Sequence, residues 1–81
     1  LYHTIAERKN ADPKKSYVAS LFKKGENSIL KKVVEEAGEF CFAVKDKEEK
    51  EIIYEAADLA FHTLVALGYA DINPDLVKQE L

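Results

Sequence analysis

The sequence predicts an all-α protein, a helical bundle with two long antiparallel central helices and shorter flanking helices, completed by dimerisation. Apolar residues recur every three or four positions along most of the chain, which is the spacing of a helix face. Residues that favour turns fall into four separate groups, at 10–13, 24–27, 45–47 and 68–74. No segment alternates apolar and polar residues, and no hairpin turn such as Asn-Gly occurs, so strands are not expected.

The first two elements are short. Leu1–Lys9 is predicted to form a small amphipathic segment. Ser16 is a suitable N-cap for the next helix, because its hydroxyl can accept a hydrogen bond from a free amide of the first turn. That helix should end at Lys24, since Gly25 stands where glycine commonly follows a helix C-terminus.

The two central helices are long. The third helix should begin at Asn27 or Ser28 and run to about Val44, and the fourth should run from about Glu48 to Leu67. Apolar residues at helical spacing form one face of the third helix: Ile29, Val33, Ala37, Phe40 and Val44. The fourth helix has a main apolar face formed by Ile52, Ala56, Leu59, Thr63 and Leu67.

A second apolar side of the fourth helix predicts a dimer. Tyr54, Phe61 and Val65 lie nearly opposite its main face, and the short companion helices of one chain cannot cover both sides. The remaining helix is short and opens at Asn73-Pro74, a cap followed by proline at the first helical position. With 81 residues, a single domain spanning 1–81 buries a modest core, which also favours a homodimer.

Composition excludes several classes of protein. The single Cys41 cannot form an internal disulfide, which is typical of a reduced, cytoplasmic protein. The most apolar segment, Ile52–Leu67, contains charged residues and is too short to span a membrane. Nucleic acid is not expected as a partner, because the isoelectric point is near 5.3 and the basic residues lack interleaved aromatic residues.

Charge is divided between the two parts of the chain. Residues 1–34 carry a balance of +5, whereas residues 35–81 carry −8, which gives the formal net charge of −3. A basic part can bind phosphates, and an acidic part needs either solvent or cations. An anionic ligand bridged by a metal ion suits both parts, although two solvated helix faces would have the same charge pattern.

Carboxylates on the third helix lie where apolar residues are expected. Glu36 falls within the apolar stripe, Glu39 lies at its margin, and Glu35 is one turn before Glu39. A desolvated carboxylate must be protonated, paired or bound to a metal. Lys32, one turn before Glu36, is the local partner if the role of Glu36 is structural.

The fourth helix carries a matching polar strip. Glu55, Asp58 and His62 lie on one narrow face and, with antiparallel packing, can face the first acidic group across a cleft. Clustered carboxylates without cysteine favour Mg²⁺, or Mn²⁺, over Zn²⁺. His62 is either a residue that touches the substrate or a hydrogen-bonded packing residue.

These acidic groups carry a resemblance to a known family. Glu35-Glu36-Ala37-Gly38-Glu39, followed after fifteen residues by Glu55-Ala56-Ala57-Asp58, resembles the EExxE…ExxD signature of the all-α nucleoside triphosphate pyrophosphohydrolases that include the MazG proteins. The flanking segments, including Ser16-Tyr17-Val18, Lys24-Gly25 and Lys31-Lys32-Val33, are similar to the phosphoribosyl-ATP pyrophosphohydrolases of histidine biosynthesis.

The resemblance implies an activity and a set of roles. The activity is Mg²⁺-dependent hydrolysis of phosphoribosyl-ATP to phosphoribosyl-AMP and pyrophosphate by a homodimer. The carboxylates Glu35, Glu36, Glu39 and Asp58 are then metal ligands or organisers, and Glu55 is a ligand or the base that orients water. Glu35 is a further candidate for catalysis, and spacing does not decide which carboxylate is the base. Candidate substrate-binding residues are Lys24, Lys32, Arg8 and His62.

Two alternatives remain at this stage. A pyrophosphohydrolase that acts on other, noncanonical nucleoside triphosphates would share the acidic motif but not the flanking segments. A helical interaction module without enzymatic activity, in which the basic part of the chain binds nucleic acid, would show no dependence on Mg²⁺.

Overall fold

The computed structural model describes Ile5, Lys9 and residues 16–81, and every regular element within these residues is helical. Helix α1 spans Tyr17–Lys24, α2 Glu26–Asp46, α3 Glu49–Tyr69 and α4 Pro74–Glu80. The two long helices, α2 and α3, pack against each other as an antiparallel hairpin, and α1 packs against α2. The all-α prediction is therefore confirmed, whereas the segment predicted at Leu1–Lys9 lies largely outside the described residues.

The predicted caps determine where α1 and α4 begin. The Ser16 hydroxyl accepts a hydrogen bond from the Ala19 amide at 3.2 Å, as the sequence predicts. The Asn73 side chain accepts one from the Asp75 amide at 2.9 Å, directly before the proline that opens α4. Both helices therefore begin where their capping residues can satisfy free backbone amides.

The long helices extend further than their sequence signals suggest. Gly25, with φ of 95°, ends α1 and also precedes α2, so α2 begins one or two residues earlier than predicted. At its other end α2 continues to Asp46, and Lys47 adopts the left-handed conformation with φ of 60°. This sharp turn lets the chain reverse through Lys47 and Glu48 into α3.

The hydrophobic core lies at the end of the hairpin remote from this connection. Val65 of α3 and Ile29 of α2 are almost fully buried there, together with Val18 and Leu21 of α1. Ile5 completes the buried cluster. At roughly 25 cal/mol per Å², burial of these side chains is the main favourable term holding α1 on the hairpin.

The predicted assignment of apolar faces on α3 is wrong. Val65 is 1% exposed and Phe61 packs against the core. The side of α3 that was predicted to be buried by a second protomer is therefore largely covered within one chain. Tyr54 alone of that group remains open, at 65% exposed, while Ala56 and Thr63 of the predicted main face are exposed. The reason is that α3 is apolar on two sides, and periodicity does not tell which side α1 will cover. Across the described residues, no helix is both long and apolar enough to cross a membrane.

Candidate metal centre and adjoining basic cleft

Four carboxylates meet midway along the hairpin. Glu36 and Asp58 each lie eleven residues from Lys47 along the chain, and Glu39 and Glu55 each lie eight residues from it. In an antiparallel hairpin, residues at equal distances from the turn lie at the same height. The i, i+3 spacing on each helix then puts both pairs on the facing sides.

The four side chains are close enough to share one cation. Each offers an oxygen within 4.8 Å of those offered by the others. We call Glu36, Glu39, Glu55 and Asp58 the carboxylate cluster. Glu36 is 4% exposed, Glu55 and Asp58 are half-buried, and Glu39 is exposed, so the cluster opens to solvent on one side.

Two buried oxygens of the cluster lack a hydrogen-bond partner. They are Oε2 of Glu36 and Oε2 of Glu55, one from each long helix. A buried carboxylate oxygen without a partner costs free energy, because nothing replaces the water it has lost. An oxygen-seeking divalent cation would satisfy both atoms, so the donor set fits Mg²⁺ or Mn²⁺.

The carboxylates alter one another's protonation. The Asp58 carboxyl lies close enough to share a proton with Glu36, which lowers the pKa of Glu36, and the same proximity together with burial raises the pKa of Asp58. The neighbouring carboxylates of Glu36 and then Glu55 raise the pKa of Glu39. The cluster therefore favours a proton on Asp58 or Glu39 rather than on Glu36, and a bound cation would compete with that proton.

Lys32 forms an ion pair with one carboxylate of the cluster. Its Nζ lies 3.2 Å from Oε1 of Glu36, and this hydrogen bond is the main cause that raises the pKa of Lys32. The structural alternative considered for Glu36, a pair with Lys32, is thus present. It does not compete with a metal site, because Lys32 takes one oxygen of Glu36 while the other remains without a partner.

Glu35 does not join the cluster. Its carboxylate lies 3.8 Å from Nζ of both Lys31 and Lys32, and its side chain is 44% exposed. One residue along a helix corresponds to a rotation of about 100°, which turns Glu35 away from the seam between α2 and α3 where Glu36 lies. Glu35 therefore lies apart from the carboxylate cluster, and its role as a metal ligand stays a prediction.

His62 is buried beside the cluster. Its Nδ1 lies 2.9 Å from the backbone carbonyl oxygen of Asp58 and 3.4 Å from Oδ1 of the same residue. Its Nε2 lies 3.3 Å from the Tyr17 hydroxyl. The ring can also be grouped with Glu36 and Asp58 as possible metal donors, but its Nδ1 is already directed at the Asp58 carbonyl.

A basic cleft of about 240 Å³ adjoins the cluster. Lys24 and Lys32, both predicted to hold substrate phosphates, line it, and Lys32 also contacts Glu36. Arg8, the third predicted cation, lies outside the described residues. The other lining residues are Tyr17, Leu21, Ser28, Lys31 and Glu35.

No functional role was predicted for Tyr17, Ser28 or Lys31 from the sequence. Tyr17 and Lys31 stand in the flanking segments that carry the resemblance, so their position in the chain was a signal. The sequence does not show that α1 packs across the hairpin, and this packing brings Tyr17 to both His62 and the cleft.

The fold and the site define an all-α protein with a candidate divalent-cation centre beside a cleft lined by lysines. A comparison with protein families identifies the particular family, because the model of the phosphoribosyl-ATP pyrophosphohydrolase family matches residues 1–81. The chain belongs to this family.

Relatives with high identity agree with that assignment. The phosphoribosyl-ATP pyrophosphatase of Neisseria gonorrhoeae is 52% identical over the whole chain, and that of Geotalea daltonii is 56% identical; the chain covers 76% of each. The histidine biosynthesis bifunctional protein HisIE of Wolinella succinogenes is 59% identical over the same residues. The chain spans only 35% of the length of that bifunctional protein.

Proposed function

We propose that this chain hydrolyses phosphoribosyl-ATP to phosphoribosyl-AMP and pyrophosphate, a step of histidine biosynthesis, with Mg²⁺ as cofactor and Mn²⁺ as the alternative ion. The observation that carries the proposal is the meeting of four carboxylates across α2 and α3, with two buried oxygens left without partners. The identity of the substrate is inferred from membership of the phosphoribosyl-ATP pyrophosphohydrolase family.

In this proposal Glu36, Glu39, Glu55 and Asp58 hold the ion. When bound, Mg²⁺ would neutralise negative charge that develops on phosphate oxygens. Glu55 also orients the attacking water and accepts its proton as the water oxygen bonds to phosphorus. The phosphoanhydride bond between the α- and β-phosphates breaks, and pyrophosphate leaves.

The basic cleft supports binding of the substrate. A polyanion that approaches a strongly acidic surface needs nearby cations, and Lys24 and Lys32 provide them on the side where the cleft meets the cluster. Glu35 would then act on the substrate side of the site, by holding Lys31 and Lys32 in place.

Pyrophosphate release from a panel of nucleotides, with and without Mg²⁺, tests the proposed activity. Phosphoribosyl-ATP should be cleaved with a higher kcat/KM than ATP or noncanonical nucleoside triphosphates, and chelation of the metal should stop the reaction. Preference for a noncanonical triphosphate would replace the proposed substrate, and release without any divalent ion would overturn the metal role of the cluster.

Substitutions in the basic cleft should affect substrate binding rather than the chemical step. Lys24→Ala and Lys32→Ala are expected to raise KM for phosphoribosyl-ATP with little change in kcat, because contacts with phosphates already form in the ground state. The effect should shrink at high salt, since exposed charges are screened over about 8–10 Å.

Lys23→Ala is the matched control for the cleft, because Lys23 is exposed on α1 but does not line the cleft. Steady-state kinetics at low and high salt should leave this variant equal to the parent. An unchanged KM for both Lys24→Ala and Lys32→Ala would show that these lysines are solvated surface residues.

We also propose a homodimer in the reducing cytoplasm. Large apolar side chains remain open on both long helices, with Val34 and Phe42 each 72% exposed and Ile53 61% exposed. An apolar surface of this kind favours burial by a partner, and the free Cys41 suits a reducing compartment.

Val34→Glu is expected to weaken the dimer without unfolding the chain, because a charge on an exposed position costs little until that surface is buried. Sedimentation velocity at micromolar concentration measures the assembly, and circular dichroism checks that helicity is kept. Phe61→Glu is a poorer test, since Phe61 packs against the core. A parent chain that sediments as a monomer contradicts the dimer.

A further inference from the structure

The buried ring of His62 has polar partners on both sides. On one side, Nδ1 lies 2.9 Å from the Asp58 carbonyl oxygen, which can only accept a hydrogen bond. Nδ1 must therefore carry a proton and donate it. In the neutral ring Nε2 then has a free lone pair, which accepts from the Tyr17 hydroxyl at 3.3 Å.

Aromatic packing fixes the orientation of the same ring. Phe61 meets it edge to face, with ring centroids 5.1 Å apart and planes at 90°. Tyr17 does the same at 6.4 Å and 85°, and is itself stacked on Phe61 at 6.0 Å. With His62 4% exposed, the imidazole has little room to rotate.

Tyr17 connects two parts of the molecule that are distant in sequence. Its ring is 55% exposed and lines the basic cleft, while its hydroxyl reaches His62 on α3. His62 in turn holds the turn of α3 that carries Asp58, through the backbone carbonyl and, at 3.4 Å, the carboxylate itself. The contacts thus run continuously from the cleft to one carboxylate of the cluster.

We infer that Tyr17 and His62 are positioning residues: the Tyr17 hydroxyl holds His62 in the Nδ1-protonated tautomer, and His62 holds Asp58 in the orientation that the cation requires. Loss of the hydroxyl leaves Nε2 without a partner and allows the proton to move there. Nδ1 would then present a lone pair to two oxygens of Asp58, which disfavours the present orientation of that carboxylate.

A coupling between ligand binding in the cleft and cation binding by the cluster is a second consequence, and it rests on the proposed function. A substrate in the basic cleft lies against the Tyr17 ring, so its binding fixes the residue that keeps His62 and Asp58 in place. Occupancy of the cleft and affinity of the cluster for a cation should therefore be coupled, and reciprocally so.

The tautomer of His62 can be measured directly in the metal-free protein. The chain has two histidines, His3 and His62, so a His3→Gln background leaves a single imidazole to observe. Two-bond ¹H–¹⁵N spectra at alkaline pH report which nitrogen carries the proton in the neutral ring. We expect Nδ1–H in the parent and a shift toward Nε2–H in Tyr17→Phe.

Mn²⁺ binding, measured by titration calorimetry, provides the second readout. Tyr17→Phe keeps the aromatic packing and should weaken Mn²⁺ binding by about 10-fold, the lower end of the effect of removing an outer hydrogen bond from a metal ligand. His62→Leu should weaken binding at least as much. His62→Asn, whose amide can still donate from near the Nδ1 position, should recover part of the loss.

Tyr69→Phe is the matched control, because Tyr69 also stacks on a phenylalanine, Phe22, at 6.5 Å but lies away from the cluster. Its Mn²⁺ affinity should equal that of the parent. An Nε2–H tautomer in the parent, or Mn²⁺ binding by Tyr17→Phe as tight as the parent's, overturns the inference. If both readouts come out as expected but phosphoribosyl-ATP is not hydrolysed, the inference stands and the proposed function fails.

Discussion

Glu55→Gln is expected to lower kcat for phosphoribosyl-ATP by about 10²- to 10⁴-fold while KM changes little, because an interaction with the attacking water matures in the transition state. Glutamine keeps the shape of the side chain but cannot accept the proton of the water. Each residue of the cluster offers one oxygen to the ion, which leaves the second carboxylate oxygen of Glu55 for this role.

A dependence on Mg²⁺ concentration distinguishes a base from a simple ligand. If Glu55 only binds the ion, a large excess of Mg²⁺ should restore most of the activity of Glu55→Gln; if it activates water, kcat should stay low at saturation. Glu49→Gln is the matched control, because Glu49 is an exposed residue of the same helix outside the cluster. Turnover of Glu55→Gln at the parental rate would eliminate the water-activating role.

Glu36→Gln is expected to remove most of the thermal stabilisation that Mg²⁺ gives the parent. A ligand at about 100 times its Kd stabilises the folded state by about 2.7 kcal/mol. In a domain of this size that corresponds to a rise in Tm of roughly 10–20 °C. Glu36 should account for much of this rise because it is the most buried carboxylate of the cluster and has an oxygen without a partner.

Glu35→Gln is the informative control for this experiment. Glu35 precedes Glu36 in the sequence but faces Lys31 and Lys32 rather than the cluster, so this variant should keep the Mg²⁺-induced rise in Tm. Differential scanning fluorimetry over a range of Mg²⁺ concentrations measures both variants. A Glu36→Gln protein that gains as much as the parent would make Glu36 a packing residue paired with Lys32.

Much of the carboxylate cluster could be predicted from sequence, because its members obey local rules. Glu36 and Glu39 on one helix, and Glu55 and Asp58 on the next, lie three positions apart and therefore share a face. A short connection implies antiparallel packing, which brings the two faces together. The distance of each pair from Lys47 would have sharpened this prediction, since it matches Glu36 with Asp58 and Glu39 with Glu55.

The features of the fold and site that could not be predicted depend on packing between elements that are distant in sequence. Which side of α3 is buried is decided by α1 and Ile5, and periodicity on α3 alone does not contain that information. Glu35 was grouped with Glu39 by its i, i+4 spacing, but its carboxylate pairs with Lys31 and Lys32 and does not join the cluster. The hydrogen bond between Tyr17 and His62 joins residues 45 positions apart, which no local pattern reveals.

The position of the carboxylate cluster along the hairpin has a consequence for local unfolding. Both pairs lie near the middle of 21-residue helices, away from the ends where helices fray. The buried core lies toward one end of the hairpin, while the half nearer Lys47 carries exposed Phe42 and Ile53. Amide exchange should therefore be slowest around Ile29 and Val65 and fastest beside the connection. A cation held by both helices would extend slow exchange from the core end into the looser half.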